Sequence, residues 1–339
     1  MSERVFITGI AGFLGSHVAD EFLYQGYEVA GNDNLIGGYE DNVPKDAAFY
    51  PFDCRSEQIK TIFQDFKPDL LIHTAATAYE GLSVFSPSFV TSNIYEASVS
   101  VFSAAIASGV KKIVNCSSMA RYGSIQIPFS EDMTPKPQDP YGIAKYAAEQ
   151  TLSCLADVHS VEYVTLVPHN IIGPRQKYDD PYRNVASIMI NRCLQGLPPI
   201  IYGDGNQTRC FSFIQDVLSC LMTACTDEKA LSQVINIGPD EEVVSINELA
   251  LKIMKLTDFQ GEAIYLPDRP QEVKHAICSS DKARKLLDYG TKVSLENGIL
   301  SMVEYINDRG LSKFNRHIPV EIISDLTPKT WISDRMNLK

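Results

Sequence analysis

The start of the chain limits its fold more than any other stretch. Strand-like RVFIT, residues 4–8, runs directly into Gly9, Gly12 and Gly15, and a helical pattern follows through Leu14, Val18, Phe22 and Leu23 to Gly26. A strand that apolar cannot stand alone, and a glycine turn leading into a helix is the way a chain crosses to a parallel neighbour. Further strand patterns lie at 28–32, near 48–52, at 69–73, 112–116 and 162–167. Helical stretches separate several of them, including a small-residue helix from about 88 to 108 and one from about 140 to 158. This alternation predicts an α/β fold with a doubly wound parallel sheet. Beyond Pro168 the regularity weakens into turn-rich GPRQ, LPPI, GDGN and PDRP, with helices predicted near 182–195, 214–226, 245–256 and 294–307. The expected division is a sheet domain of residues 1–167 with 211–237, a smaller α+β lobe of 168–210 with 238–310, and a tail of 311–339. The tail holds the single Trp, Trp331, and its packing partner cannot be read from the sequence.

Bulk properties exclude several classes of function. With 339 residues and 45% hydrophobic content the chain can bury a sizeable core. Its net charge of -12 argues against nonspecific nucleic-acid binding and against a basic membrane surface, so an anionic ligand must be held by a few local Arg and Lys. No apolar run approaches the ~18 to 20 residues of a membrane span, and the chain enters VFIT without a basic or apolar leader, so a cytoplasmic protein is expected. The eight Cys form no C-x-x-C pair and read as reduced, mostly buried thiols; the six His are scattered without metal-ligand spacing, and no metal site is predicted.

Two constellations carry chemistry. The glycines follow a strand and open a helix, where the backbone can approach a pyrophosphate lying at the positive helix N-terminus; the alternative is that they only permit a tight turn. Asp33 ends the second strand where a carboxylate accepts both ribose hydroxyls and repels a 2′-phosphate, which favours NAD over NADP. Asp53, after the third strand, is placed to accept from the adenine amino group, or to act as a cap. Tyr141 and Lys145, four residues apart, share a helix face. A free Tyr titrates near pH ~10, and an ammonium or cationic cofactor beside it stabilises the phenolate and makes it a usable base. Any amphipathic helix can also show this spacing with the Tyr packed and the Lys solvated.

Taken in order, TGIAGFLG (8–15), HTAA (73–76), SSMARYG (117–123), YGIAK (141–145) and GPRQ (173–176) resemble the extended short-chain dehydrogenases, specifically the NAD-dependent epimerase/dehydratase family of nucleotide-sugar enzymes. The resemblance spans residues 4 to about 309. It implies a Rossmann-type sheet, a catalytic Ser118, a base at Tyr141 with Lys145 as helper, and NAD as cofactor. Cofactor contacts are implied at Gly9, Gly12, Phe13, Leu14, Gly15, Asp33, Asn34, Asp53, Cys54, the strand end Thr74, Ala75 and Ala76, Asn93, Tyr141 and Lys145. For a nucleotide-diphosphate sugar the resemblance implies a pyrophosphate donor at Asn170, arginine clamps at Arg209 and Arg269, a ribose acceptor at Glu272, where the family usually has Asp, and a sugar-facing loop with Tyr79 and Glu80. Ser118 belongs to that substrate set as well. The family also implies a homodimer through four helices, here from 88–108 and 140–158.

In the shared chemistry Tyr141 takes a sugar hydroxyl proton while hydride leaves the same carbon, and a 4-keto sugar forms. The 4,6-dehydratases it resembles place Asp-Glu after the catalytic Ser or Thr, where this chain has Met119 and Ala120; related decarboxylases carry a Glu nearby, and 3,5-epimerases a Cys in place of Ala120. Neither residue here transfers protons. The expected activity is therefore C4 epimerisation with bound NAD. A nucleotide-sugar 4-dehydrogenase or reductase, or another keto-sugar-forming member, is the alternative; a noncatalytic dinucleotide sensor has little reason to keep Ser118, Tyr141 and Lys145 together. Ala276, at a gate position of the resembled 4-epimerases, is small and leaves room for an N-acetyl group at C2. Glu80 and Arg121 stand where apolar residues are usual, and Glu80, if it faces the sugar, disfavours a uronic acid.

Overall fold

In the computed structural model, which describes residues 3–338, strand β1 (Arg4–Thr8) settles the architecture by alternation: Val5 and Ile7 enter one apolar layer and Phe6 the other, all three fully buried. A strand buried on both faces belongs in the middle of a sheet. Around it lie β2 (Glu28–Asn32), β3 (Ala48–Tyr50), β4 (Leu70–His73), β5 (Lys112–Cys116), β6 (Glu162–Pro168) and β7 (Val234–Ile237). All pair in parallel, in the order β7-β6-β5-β4-β1-β2-β3. The order reverses between β1 and β4, and the crevice at such a switch point opens at the strands' C-terminal ends.

One layer holds the helices Phe13–Tyr24 and Ile214–Thr226, through Val18, Phe22, Val217 and Leu221. The other holds Gln58–Phe66, Ala97–Ser108 and Pro140–His159, through Ile59, Phe63, Val101, Phe102 and Leu152. The first layer also takes in the helix Asp281–Leu287, with Ala283, Leu287 and the following Tyr289 buried against the sheet. Residues 238–310 were expected to lie in the lobe, so this helix departs from the expectation; Ala283 and Leu287, four apart, give it an apolar face that the sheet layer covers.

The small-residue helix expected over 88–108 is built in three consecutive parts: Pro87–Thr91, a π-helical turn Ser92–Glu96, and Ala97–Ser108. Within the wider turn Asn93 is buried and Tyr95 is exposed. The Pro140–His159 helix begins where Asp139 accepts from the Gly142 amide at 2.9 Å and Pro140 takes the first helical position, which fixes Tyr141 in the first turn.

Helices Val185–Leu194, Ile246–Leu256 and Leu295–Arg309 enclose a second apolar cluster with Met189, Ile190, Leu249, Ile253, Ile299 and Met302. The tail, unassigned from the sequence, folds back over the molecule. Trp331 is buried beside Phe85 and Tyr182 and donates its indole N–H to the Pro181 carbonyl at 3.2 Å. The Glu321 carboxylate accepts from the amides of Ser88 and Phe89 at 3.0 and 2.7 Å, at the start of Pro87–Thr91. Among the described residues no helix is long and apolar enough to cross a membrane.

Candidate active site

A cleft of about 430 Å³ opens over the C-terminal ends of β1, β2, β4 and β5 and is closed on its far side by residues from 168–211 and 269–272. Its floor is the glycine turn. Gly9 has φ +73° and Gly15 sits so close to the turn that a Cβ there would lie 2.2 Å from the Gly9 carbonyl oxygen. The helix Phe13–Tyr24 that follows has no acidic residue in its first turn and no side-chain cap at Gly12, so its first N–H groups face the cleft uncompensated. Asp33 is held at the rim: the Ala11 amide donates to Oδ2 at 3.1 Å and the Leu35 amide to Oδ1 at 2.7 Å. Burial raises its pKa, against the pull of those two donors and of Arg183. A pyrophosphate on the bare helix end and a ribose on a fixed carboxylate are what a dinucleotide requires, and NAD fits this half of the cleft.

Phe13, Leu14, Asn34, Cys54, Thr74, Ala75, Ala76 and Asn93 line the same cleft. Asp53 lines it too, but it is not a free acceptor. Arg55 donates to both of its oxygens at 2.8 Å, and Asn34 to Oδ2 at 2.8 Å. Although burial opposes it, this grip lowers the Asp53 carboxyl to about 2.

Ser118, Tyr141 and Lys145 line the same cleft, with the Ser118 hydroxyl beside the Tyr141 phenol. Lys145 donates to the Cys116 carbonyl at 2.8 Å, and burial lowers its pKa to about 8. Burial likewise pushes the Tyr141 phenol well above its ordinary value; the Ser118 hydroxyl and Arg183 pull it down, while Glu80 and Asp139 push it further up. Lys145 is turned to a strand carbonyl and is not the group that offsets the burial of Tyr141, a refinement of the simple Tyr–Lys reading.

The opposite half holds the substrate candidates. Arg269 forms a two-point pair with Glu272, both distances 3.1 Å, and its guanidinium lies 4.7 Å from the centre of the Tyr202 ring. Arg209 donates to the Val273 carbonyl at 2.7 Å and stands 3.8 Å from Glu272. Glu272, expected to take a ribose, therefore orients the two arginines. Asn170, at φ +42°, donates to the Cys210 carbonyl at 2.9 Å at the cleft wall.

Tyr79 departs from the expectation. It is fully buried, donates its hydroxyl to Asp180 at 2.7 Å, and lies 5.0 Å from the Arg183 guanidinium. Tyr79 and Glu80 adjoin at the start of a short helical turn and face opposite ways, so Glu80 is open to the cleft while Tyr79 supports the loop from behind. Glu80 also lines an adjoining cavity of about 60 Å³ with Ser118, Met119, Ala120, Asn170, Arg209 and Ala276. Although its side chain stays accessible to the cleft, the surrounding walls desolvate it and, with the nearby Asp139, raise its carboxyl to about 7, with Arg209 and Arg269 opposing and Glu272 assisting. Arg121, the other unusual residue, lines neither space: it is buried in an ion pair with Glu149 at 3.2 Å, behind the Ser118 loop.

Two charged cleft residues escaped the sequence reading. Asp139 reads as a helix cap, yet its Oδ2 is buried without a partner. Arg183 donates to the Gly37 carbonyl at 2.6 Å and bridges the loops after β2 and β4. Its only sequence signal is Asp180 three residues earlier.

The profile of the NAD dependent epimerase/dehydratase family matches residues 5–238. A putative UDP-glucose 4-epimerase of Methanocaldococcus jannaschii is 32% identical over 310 residues, covering 90% of this chain and 98% of its own length. A UDP-N-acetyl-alpha-D-glucosaminuronate decarboxylase of Bacillus cytotoxicus is 31% identical, over 91% of this chain and 99% of its own. Among solved structures, UDP-glucose 4-epimerase from Thermotoga maritima with UDP-glucose superposes with a TM-score of 0.85 at 33% identity, over 90% of this chain and 99% of that one.

Proposed function

The chain belongs to the NAD dependent epimerase/dehydratase family, and on that premise we propose that it is a nucleotide-sugar 4-epimerase that oxidises and re-reduces its substrate at C4 with a NAD it keeps bound. The observation that carries this reading is the placing of Ser118, Tyr141 and Lys145 between two differently charged halves of one cleft. One half is a bare helix N-terminus with Asp33, the other a pair of arginines organised by Glu272. NAD, when bound, supplies the acceptor and donor of the hydride. The chain's own residues do the rest. Tyr141 accepts the proton of the C4 hydroxyl, Ser118 holds that oxygen, and Lys145, fixed by Cys116, keeps a positive charge in the site. Arg209, Arg269 and Asn170 retain the diphosphate while the keto sugar turns over and presents its other face. A 4-epimerisation needs no further acid, in agreement with Met119 and Ala120 at the wall of the smaller cavity.

Residues 1–167 with 211–237, joined by the 281–289 segment, are the NAD-binding unit in this reading, and the remainder up to 310 is the substrate lobe. Ala276 leaves the smaller cavity open beside Ser118, which suits a C2 substituent as large as N-acetyl. The exposed Tyr95, Ile143 and Val158 on the two neighbouring helices are the surface we assign to a four-helix homodimer. One observation favours a second outcome, in which the keto sugar is released or transformed: Glu80 and Asp139 bring carboxyls that simple epimerisation does not use.

The test is cofactor retention. Protein purified without added cofactor should release NAD on denaturation and should accumulate no free NADH with UDP-glucose; stoichiometric NADH formation, with external NAD required, assigns it to the dehydrogenases.

A further inference from the structure

The tail after Gly310 is built into the cleft. Around Tyr202, whose ring lies beneath Arg269, the cleft is lined by apolar side chains, among them Ile188, Ile200 and Met336. Met336 comes from the tail. It is buried in a cluster with Ile200 and Phe314, against which Ile188 and Tyr202 also pack. Three polar ties hold it there. The wholly buried Arg192 guanidinium donates to the carbonyls of Met336 and Leu338, the latter at 3.1 Å. Asn337 and Phe314 exchange hydrogen bonds at 2.7 and 3.1 Å. The hydroxyls of Tyr202 and Thr330 lie 2.5 Å apart, so the tail also fixes the ring on which Arg269 rests. Nearby, Gln207 is buried, donates its amide to the Tyr202 carbonyl at 2.9 Å, and leaves Oε1 unpartnered at the cleft wall. An apolar slot with one unfilled acceptor is a site for a flat heterocycle bearing a ring N–H.

Resting on the nucleotide-sugar reading above, we propose that the C-terminal segment completes the nucleobase subsite: Met336 forms one wall and Thr330 positions Tyr202, so that this tail sets affinity and selectivity for the base. These are positioning and binding roles, separate from proton transfer.

The test is a calorimetric titration of the full-length protein with UDP, CDP and GDP, repeated on Met336→Ala, Thr330→Val and the conservative Met336→Leu. Removing the tail outright would strip Arg192 of two acceptors and disturb the fold, so single substitutions are used. Met336→Ala should weaken UDP binding by about tenfold, the scale of one lost apolar side-chain contact. It should narrow the preference among the three nucleotides and leave the amount of NAD carried through purification unchanged, and Met336→Leu should restore both. Thr330→Val should weaken UDP binding in the same direction. The proposal is overturned if both Met336→Ala and Thr330→Val bind UDP as the unsubstituted protein does, or if they lose NAD in proportion to UDP. If the unsubstituted protein binds none of the three nucleotides, the nucleotide-sugar reading falls, and this proposal with it.

Discussion

Tyr141 shows how much of the chemistry belongs to surroundings that a residue type does not reveal. Burial holds its phenol protonated, and what lowers that barrier is the Ser118 hydroxyl and the charge of Arg183. Tyr141→Phe should therefore cut turnover by at least about a hundredfold, the usual share of a general base, while purified protein still carries NAD. Asp33→Ala should weaken NAD and relax discrimination against NADP, measured as the ratio of the two dissociation constants; an unchanged ratio removes Asp33 from the ribose site. Glu80 gives the prediction most particular to this chain. Its carboxyl is raised to about 7, so it is mostly neutral below that pH and ionised above it. A uronate in the same pocket is then repelled more strongly as pH rises through 7, and the kcat/KM ratio of UDP-glucose over UDP-glucuronate should climb across that range. In Glu80→Gln the climb should vanish. The sign for stability follows the same shift: because the folded pKa is raised, the contribution present below the unfolded value is lost as pH rises through about 7. Glu80→Gln should thus raise the melting temperature at pH 8 and not at pH 4.

At the scale of elements, the Pro140–His159 helix ties catalysis to stability. Its first turn presents Tyr141, its second Lys145, and its third Glu149, which reaches back under the Ser118 loop to Arg121 and accepts from the Ser117 hydroxyl. Both partners of that ion pair are buried, so Glu149→Leu should destabilise the protein by about 3 kcal/mol or more, read from the denaturant midpoint, because it leaves a guanidinium enclosed without a counter-charge. The glycine turn, Asp33, Tyr141 and Lys145 were legible in the sequence because each is set by local spacing on one strand–turn–helix unit or one helix face. Tyr79, Asp139, Arg183 and Arg121 were not. Their roles depend on partners far along the chain, such as Asp180 for Tyr79 and Gly37 for Arg183, and no periodicity encodes those meetings. The π-helical turn at 92–96 is a similar case: composition predicts a continuous helix, and only packing shows that Asn93 is turned inward.

Across the whole molecule, the sheet order follows from alternation of strands and helices, while the walls of the cleft come from segments whose short strands and turns carry little pattern. The helix Asp281–Leu287 shows the difference. Its sequence neighbours are lobe residues, but an apolar face places it under the sheet. The tail was unreadable for a related reason: its anchors Trp331 and Met336 bind to surfaces made by residues 79–85 and 182–202, which exist only once the fold has formed. If the exposed helices carrying Tyr95, Ile143 and Val158 are joined in a dimer, sedimentation should give twice the 37.6 kDa chain mass, and Ile143→Lys should return it to one.

In the proposed reaction one cleft removes and restores a hydride at C4 of a nucleotide sugar without net redox change. Proton NMR of the protein incubated with UDP-glucose, and separately with UDP-N-acetylglucosamine, follows the anomeric and C4 signals of substrate and product together. At least one of them should convert to its C4 epimer, approached from both directions to one equilibrium ratio and lost in Tyr141→Phe. If a panel of UDP, GDP and CDP sugars yields no C4 epimer, or only a keto or decarboxylated product, the protein is not a 4-epimerase.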